Sequence, residues 1–123
     1  NGAVLKIMRP MMIYEAFDVV TVPFPFTDQE KAKKRPALVL SNAVFNQENN
    51  HLILAMITSS GREAWHGDLK ISNLEQAGLR KASVIRLKLF TLDSRLIIQK
   101  IGTLDSKEAN LLKKQFGSVL ICP

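Results

Sequence analysis

Val19-Val20-Thr21-Val22-Pro23-Phe24-Pro25-Phe26 begins as a β-strand and then forbids its own pairing on one side. Val and Thr favour pleated backbone. Pro23 and Pro25 lie two residues apart, so both missing N–H groups face the same side of the ribbon and that side cannot be laddered. Such a strand ends at an edge or leaves its sheet. Outward from it, residues 37–40, 52–57, 68–71, 83–92 and 96–102 are short runs rich in Val, Ile and Leu, separated by Asn, Gly, Asp and Ser. Each reads as a further strand. Leu92-Asp93-Ser94-Arg95 is short enough to be a hairpin joining the last two. Residues 42–48 and 73–77 each have room for one or two helical turns, the second stopped by Gly78.

One longer helix is expected from Asp105, which can cap the first turn while Glu108, three residues on, completes a capping-box pattern. Ala109, Leu112, Phe116 and Val119 or Leu120 recur at helical spacing, with Lys107, Lys113 and Lys114 outward and Gly117 as terminator. The expected fold is mainly β, a strongly bent antiparallel sheet or SH3-like barrel closed by this helix. An open α+β sandwich is the other arrangement. Phe24 and Phe26 share one strand face and are expected in the core.

The chain has 123 residues, 46% hydrophobic and 23% charged, the balance of one globular domain. Its longest apolar run, residues 52–57, is far short of the ~20 residues of a membrane-spanning helix. Residues 1–12 are expected to be a leader, flexible or not native, ahead of a start at Met8, Met11 or Met12, with a single domain over 13–123. The lone Cys122 allows no internal disulfide and no cysteine-based metal cluster, which fits a reducing, cytoplasmic setting. His51 and His66 lack metal-ligand spacing and read as loop or strand-end residues.

Seventeen Lys and Arg against eleven Asp and Glu give a net charge of +6, which favours a polyanionic partner. Most of the excess falls between Arg80 and Lys100, where Asp93 is the only acid among Arg80, Lys81, Arg86, Lys88, Arg95 and Lys100. A second cluster is Lys31, Lys33, Lys34 and Arg35, partly offset by Asp28 and Glu30. Solvated faces would look the same.

Five pieces in order, Asp18-Val-Val-Thr-Val-Pro-Phe-Pro-Phe-Thr-Asp28, Lys34-Arg-Pro-Ala-Leu-Val-Leu-Ser41, Ile57-Thr-Ser-Ser60, Ser83-Val-Ile-Arg86 and Leu89-Phe-Thr-Leu92, resemble the PemK/MazF family of toxin endoribonucleases. The likeness runs through residues 18–118. It implies an SH3-like barrel with a C-terminal helix, a homodimer, cleavage of single-stranded RNA with preference for sequence and without metal or other cofactor, and neutralisation by an acidic antitoxin. Carried onto this chain, the family's catalytic arginine falls on Arg35 and its catalytic threonine on Thr58. Lys33, Lys34, Ser59, Trp65 and Arg86 become candidate RNA contacts. Some members carry an acid two residues after the arginine matched by Arg86, where this chain has Lys88. The family's Trp-Pro-Gly-Asp loop reads Trp65-His66-Gly67-Asp68 here, so a looser turn is expected.

The chemistry agrees with the residue types. Attack by the RNA's own 2′-OH requires removal of its proton, stabilisation of phosphorane charge and a proton for the departing 5′-oxygen. A guanidinium fork suits the second task, and Pro36 biases Arg35 toward extended backbone. Arginine is a poor resting base, which leaves Glu15, Asp28, Glu30, His51 and His66 as candidates for the first. Without the resemblance, Arg35 also reads as a solvated edge residue and Thr58-Ser59-Ser60 as a capped turn. Trp65 is either core or a base-stacking platform beside Arg62. Two rival functions share the fold: a non-catalytic SH3-like module binding RNA or protein, and a CcdB-type gyrase poison, against which the ending Ser-Val-Leu-Ile-Cys-Pro counts.

Overall fold

A computed structural model describes residues 12–24, 33–61 and 63–121. In chain order these form β1 (Asp18–Phe24), β2 (Lys33–Val39), α1 (Ala43–Asn49), β3 (His51–Ser59), β4 (Leu69–Lys70), α2 (Leu74–Ala77), β5 (Ser83–Asp93), a 3₁₀ turn at Ser94–Leu96, β6 (Gln99–Thr103) and α3 (Ser106–Val119). The strands make one antiparallel sheet in the order β4-β5-β3-β2-β1-β6, curled into a half-barrel. Among the described residues, no helix is long and apolar enough to cross a membrane.

The sheet has apolar clusters on both faces, because side chains alternate along each strand. Val19, Leu38, Ala55, Ile57 and Ile85 meet Ala109 and Leu112 of α3 on one face. Val20, Val22, Ala37, Val39, Leu52 and Leu54 form the other, with Met56 and Tyr14 packed against them. Leu112 is 1% exposed; burying one such side chain contributes about 1.5–3 kcal/mol. The helix therefore tethers the first face, and the second is left to carry the site.

Several expectations need correction. Residues 92–95 do not form a hairpin: β5 pairs with β3 and β4, while β6 crosses to the far edge and pairs with β1. Asp93 caps the 3₁₀ turn by accepting from Arg95 N, and residues 96–98 precede β6 instead of opening it. Helix α3 runs through Gly117 to Val119, and Val119 and Leu120 remain 40% and 39% exposed. Asp105 does cap α3, accepting from Glu108 N at 2.8 Å. Glu108 does not close the box; its buried carboxylate accepts from Ser72 N and Asn73 N, binding the helix to the preceding loop.

The prolines behave as their chemistry demands. The Thr21 carbonyl accepts from Ile98 N, so odd-numbered residues of β1 turn their polar groups toward β6. The β1–β6 ladder ends at Thr21↔Gln99, and Pro23 is the next residue with that orientation. Pro25, Phe26, Asp28, Glu30 and Lys31, the side chains of Phe24 and Lys33, and Arg62 and Cys122 lie outside the described residues.

Candidate active site

Pro36 creates the opening in which the site sits. In the β2–β3 ladder Leu38 pairs with Ala55 and Ala37 with Met56, and Leu40 N donates to Ile53 O at 2.8 Å. Even-numbered residues of β2 therefore face β3, and Pro36 falls where the next amide donor is required. The ladder stops there. Continuing its register sets Arg35 across from Thr58, on a part of the sheet the missing bonds have let open. Arg35 itself stays anchored on the other side by its pairing with Val22.

The result is a cleft of about 420 Å³, walled by Lys34, Arg35 and Pro36 on one side, Ile57, Thr58 and Ser59 along its floor, and Arg80 and Lys81 opposite. Arg35 is half-buried, and its Nε is buried with no hydrogen-bond partner among the described residues. Leaving such a donor unpaired costs on the order of 1–3 kcal/mol, more for a charged group. Lys34 lines the same wall. The apolar Val22, Ala37 and Leu54 of the second cluster give way along their own face to Arg35 and Thr58, so polarity changes from one end of that face to the other.

A second hollow, about 370 Å³, shares Thr58 and Ser59 and is completed by Glu63 and Arg86. Thr58 thus stands on a ridge between two concavities. Arg86 is deeply engaged there: Nε donates to Asp68 Oδ1 at 3.1 Å, while Nη2 donates to Asp68 Oδ2 at 3.0 Å and to Glu63 O at 2.8 Å. Its guanidinium also lies 5.0 Å from the centroid of the Trp65 ring. The Asp68 hydrogen bonds raise the Arg86 pKa and lower that of Asp68, against an opposing contribution from burial. The Trp65–Asp68 turn is tight, not loose: Trp65 N donates to Asp68 Oδ2 at 3.0 Å and Asp68 N to Trp65 O at 3.1 Å, with Gly67 at φ 98. Trp65 is 43% exposed, which excludes a core position.

The structure accordingly brings Lys34, Arg35, Thr58 and Ser59 into one cleft and sets Trp65 and Arg86 on its flank. Lys88 lies elsewhere. The β3–β5 register shifts between Ala55↔Leu89 and Met56↔Arg86, which leaves Leu87 and Lys88 as extra residues in a bulge. Of the expected proton acceptors, Glu15 lines a different depression beside Lys100 and Lys113, and His51 begins β3, roughly 23 Å from Thr58 at strand rise. His66 is the exposed tip of the tryptophan turn. Sequence reasoning missed Glu63 as a residue of the second hollow and Asp68 as the partner of Arg86. It counted Arg80 and Lys81 as charge without placing them; their only signal was the density of basic residues after Gly78.

A bent antiparallel sheet with a C-terminal helix and a cationic cleft at the end of its second and third strands defines a class of small toxin folds. The family model of the PemK-like, MazF-like toxins of type II toxin-antitoxin systems matches residues 15–120, and the chain belongs to that family. Similar solved structures include MazF from Deinococcus radiodurans, with 20% identity, TM-score 0.69 and coverage of 89% of this chain and 98% of that one. The MazE–MazF complex of the same organism gives 19% identity, TM-score 0.70, 92% and 100%. An endoribonuclease in complex with its cognate antitoxin, from mycobacterial species, gives 14%, 0.69, 92% and 98%. No curated protein matches the chain by sequence.

Proposed function

We propose that this chain is an endoribonuclease toxin that cuts single-stranded RNA by attack of the 2′-OH on its own 3′-phosphate. The observation that carries the reading is the Arg35 guanidinium, half-buried at the cleft with an Nε that has no partner among the described residues, across the interrupted ladder from Thr58. In this reaction the 2′-oxygen bonds to phosphorus, the bond from phosphorus to the 5′-oxygen breaks, and the proton lost by the 2′-OH is matched by one given to the leaving oxygen. Arg35 takes the charge that develops on the non-bridging oxygens, as a two-pronged donor does best. Thr58 donates its hydroxyl to one of those oxygens or orients the 2′-OH. The step uses only groups of the protein and the RNA.

Membership of a toxin family, and solved relatives described as an endoribonuclease and as complexes with antitoxins, support the same reading. Type II pairing implies an antitoxin that covers the basic cleft, an acidic segment ordered on binding. The chain acts as a homodimer in the cytoplasm; exposed Leu89, Leu96, Ile98 and Leu111 supply apolar surface for a second copy. Incubating purified protein with a long single-stranded RNA in EDTA and mapping the ends tests the activity. Discrete fragments bearing 2′,3′-cyclic phosphate and 5′-hydroxyl ends are expected. Bound but intact RNA would instead make it a binding module, and 5′-phosphate ends would overturn the mechanism.

A further inference from the structure

The cleft holds more positive charge than one phosphate can use. Lys34 and Arg35 line one wall, Arg80 and Lys81 the other, and none of the described residues lining it is acidic. Arg80 and Lys81 are exposed, and their side chains have no hydrogen-bond or ion-pair partner among the described residues. A scissile phosphate carries one negative charge, for which the Arg35 fork already suffices.

The corner that carries these two cations is rigidly built. Helix α2 ends at Gly78, with φ 76, whose N–H donates to Glu75 O while Leu79 N donates to Leu74 O. This reversal sends Leu79 against the first core cluster and leaves the next two residues at the cleft. The Lys81 carbonyl accepts from Ser83 Oγ at 2.8 Å, and the Ala82 carbonyl from Ser60 N at 3.1 Å, two residues beyond Thr58. Close approach to β6 holds the corner from behind: a Cβ on Gly78 would stand 2.0 Å from Ile101 O. Arg80 and Lys81 are thereby tied to the same strand end as Thr58.

We propose that Arg80 and Lys81 form a second phosphate subsite, which holds the backbone phosphate next to the one cut at Arg35 and Thr58. This rests on the RNA reading above and adds that the protein grips its substrate as a strand with at least two consecutive phosphates. The subsite takes a phosphodiester monoanion without regard to base.

The test uses single-site RNA oligonucleotides in which one linkage at a time, on either side of the cut, is a neutral methylphosphonate. With the wild-type protein, one neighbouring linkage should lower kcat/KM by about tenfold when neutralised, a loss of about one charge-assisted contact. The Arg80→Ala/Lys81→Ala protein should show the same loss on normal RNA, mainly in KM, and no further loss from the methylphosphonate at that linkage. Its plot of log affinity against log salt should be shallower by about 0.7, one phosphate on a single strand. The exchanged protein, Arg80→Lys/Lys81→Arg, should recover most of the affinity. A 2′-O-methyl strand, which cannot be cut, carries the same series as a binding measurement, so absence of cleavage would sink the nuclease reading and leave the subsite still measured. Wild-type kcat/KM, binding and salt slope in the alanine protein would overturn the subsite. So would losses that add equally at every linkage, or loss of an acidic antitoxin peptide with RNA binding intact.

Discussion

Asp68 holds Arg86 by two parallel hydrogen bonds, Nε to Oδ1 at 3.1 Å and Nη2 to Oδ2 at 3.0 Å, and the guanidinium so fixed lies beneath Trp65. Both side chains are sheltered, 16% and 14% exposed, so the pair is not an ordinary surface bridge. Its consequence is local order. An indole kept outward on a turn closed by Asp68 is a ready surface for a base, while the Arg86 fork is already occupied within the protein.

Trp65→Ala should weaken RNA binding by about 1–3 kcal/mol, the scale of one stacked base, with the fold retained. Fluorescence-anisotropy titration with a short single strand measures it. Equal affinity would leave Trp65 with no part in binding.

The same pair sets a pH dependence. Because the Arg86 hydrogen bonds depress the Asp68 pKa in the folded protein, its contribution is present above the ordinary aspartate value, about 3.9, and is lost as pH falls through the lower folded value. The chain has one tryptophan, and it sits at this pair. Its emission should stay constant from neutral pH down to about 4 and change below that. Asp68→Asn should show the acid-form emission already at pH 7.

Arg35 and Thr58 are tested together. Arg35→Ala should lower cleavage by roughly 10²–10³-fold, the loss that follows removal of one preorganised donor. Arg35→Lys should recover only part, since an ammonium lacks the fork. Thr58→Val should fold and lose activity, and Thr58→Ser should keep most of it. A folded Arg35→Ala protein cutting at the wild-type rate would remove Arg35 from the chemistry.

Glu63 shares the hollow with Thr58, Ser59 and Arg86, and among the described acids it is the one lining either concavity at Thr58. If it accepts the 2′-OH proton, Glu63→Gln should lower kcat by about 10²-fold or more while KM changes little. An unchanged kcat would transfer the task to another group.

Stability depends on a close crossing behind the cleft. A Cβ on Gly102 would meet the Ala77 carbonyl carbon at 2.4 Å and Gln76 O at 2.4 Å, backbone atoms that cannot swing aside. Gly102→Ala should destabilise by about 1–3 kcal/mol, seen as a lower midpoint in urea. Since this crossing seats the Arg80–Lys81 corner, a milder loss of RNA affinity should accompany it.

Much of the fold was legible in the sequence because it rests on local signals. Alternating Val, Ile and Leu marked the strands, Asn42 and Asn73 stood ahead of short helices they do cap, and Asp105 opened α3. Pro23 announced a side of β1 that goes unpaired, and Pro36 announced extended backbone at Arg35. The motifs around Arg35 and Thr58 were readable for the same reason, each being a short run of residue types at a strand end.

What the sequence did not contain was the choice of partner. Nothing local tells β6 to pass its neighbour β5 and pair with β1, since any exposed strand edge offers the same N–H and C=O groups. Nor does Glu108 reveal that two amides of the 72–73 loop compete better for its carboxylate than its own helix cap. The stop in the β2–β3 ladder, the pairing of Asp68 with Arg86 across 18 residues, and the placing of Arg80 and Lys81 at the same cleft as Arg35 are all relations between distant segments. Residue type and spacing determined which cationic and hydroxyl groups this protein carries; only packing, which decides which surfaces become neighbours once the sheet has curled, determined that they face one cleft.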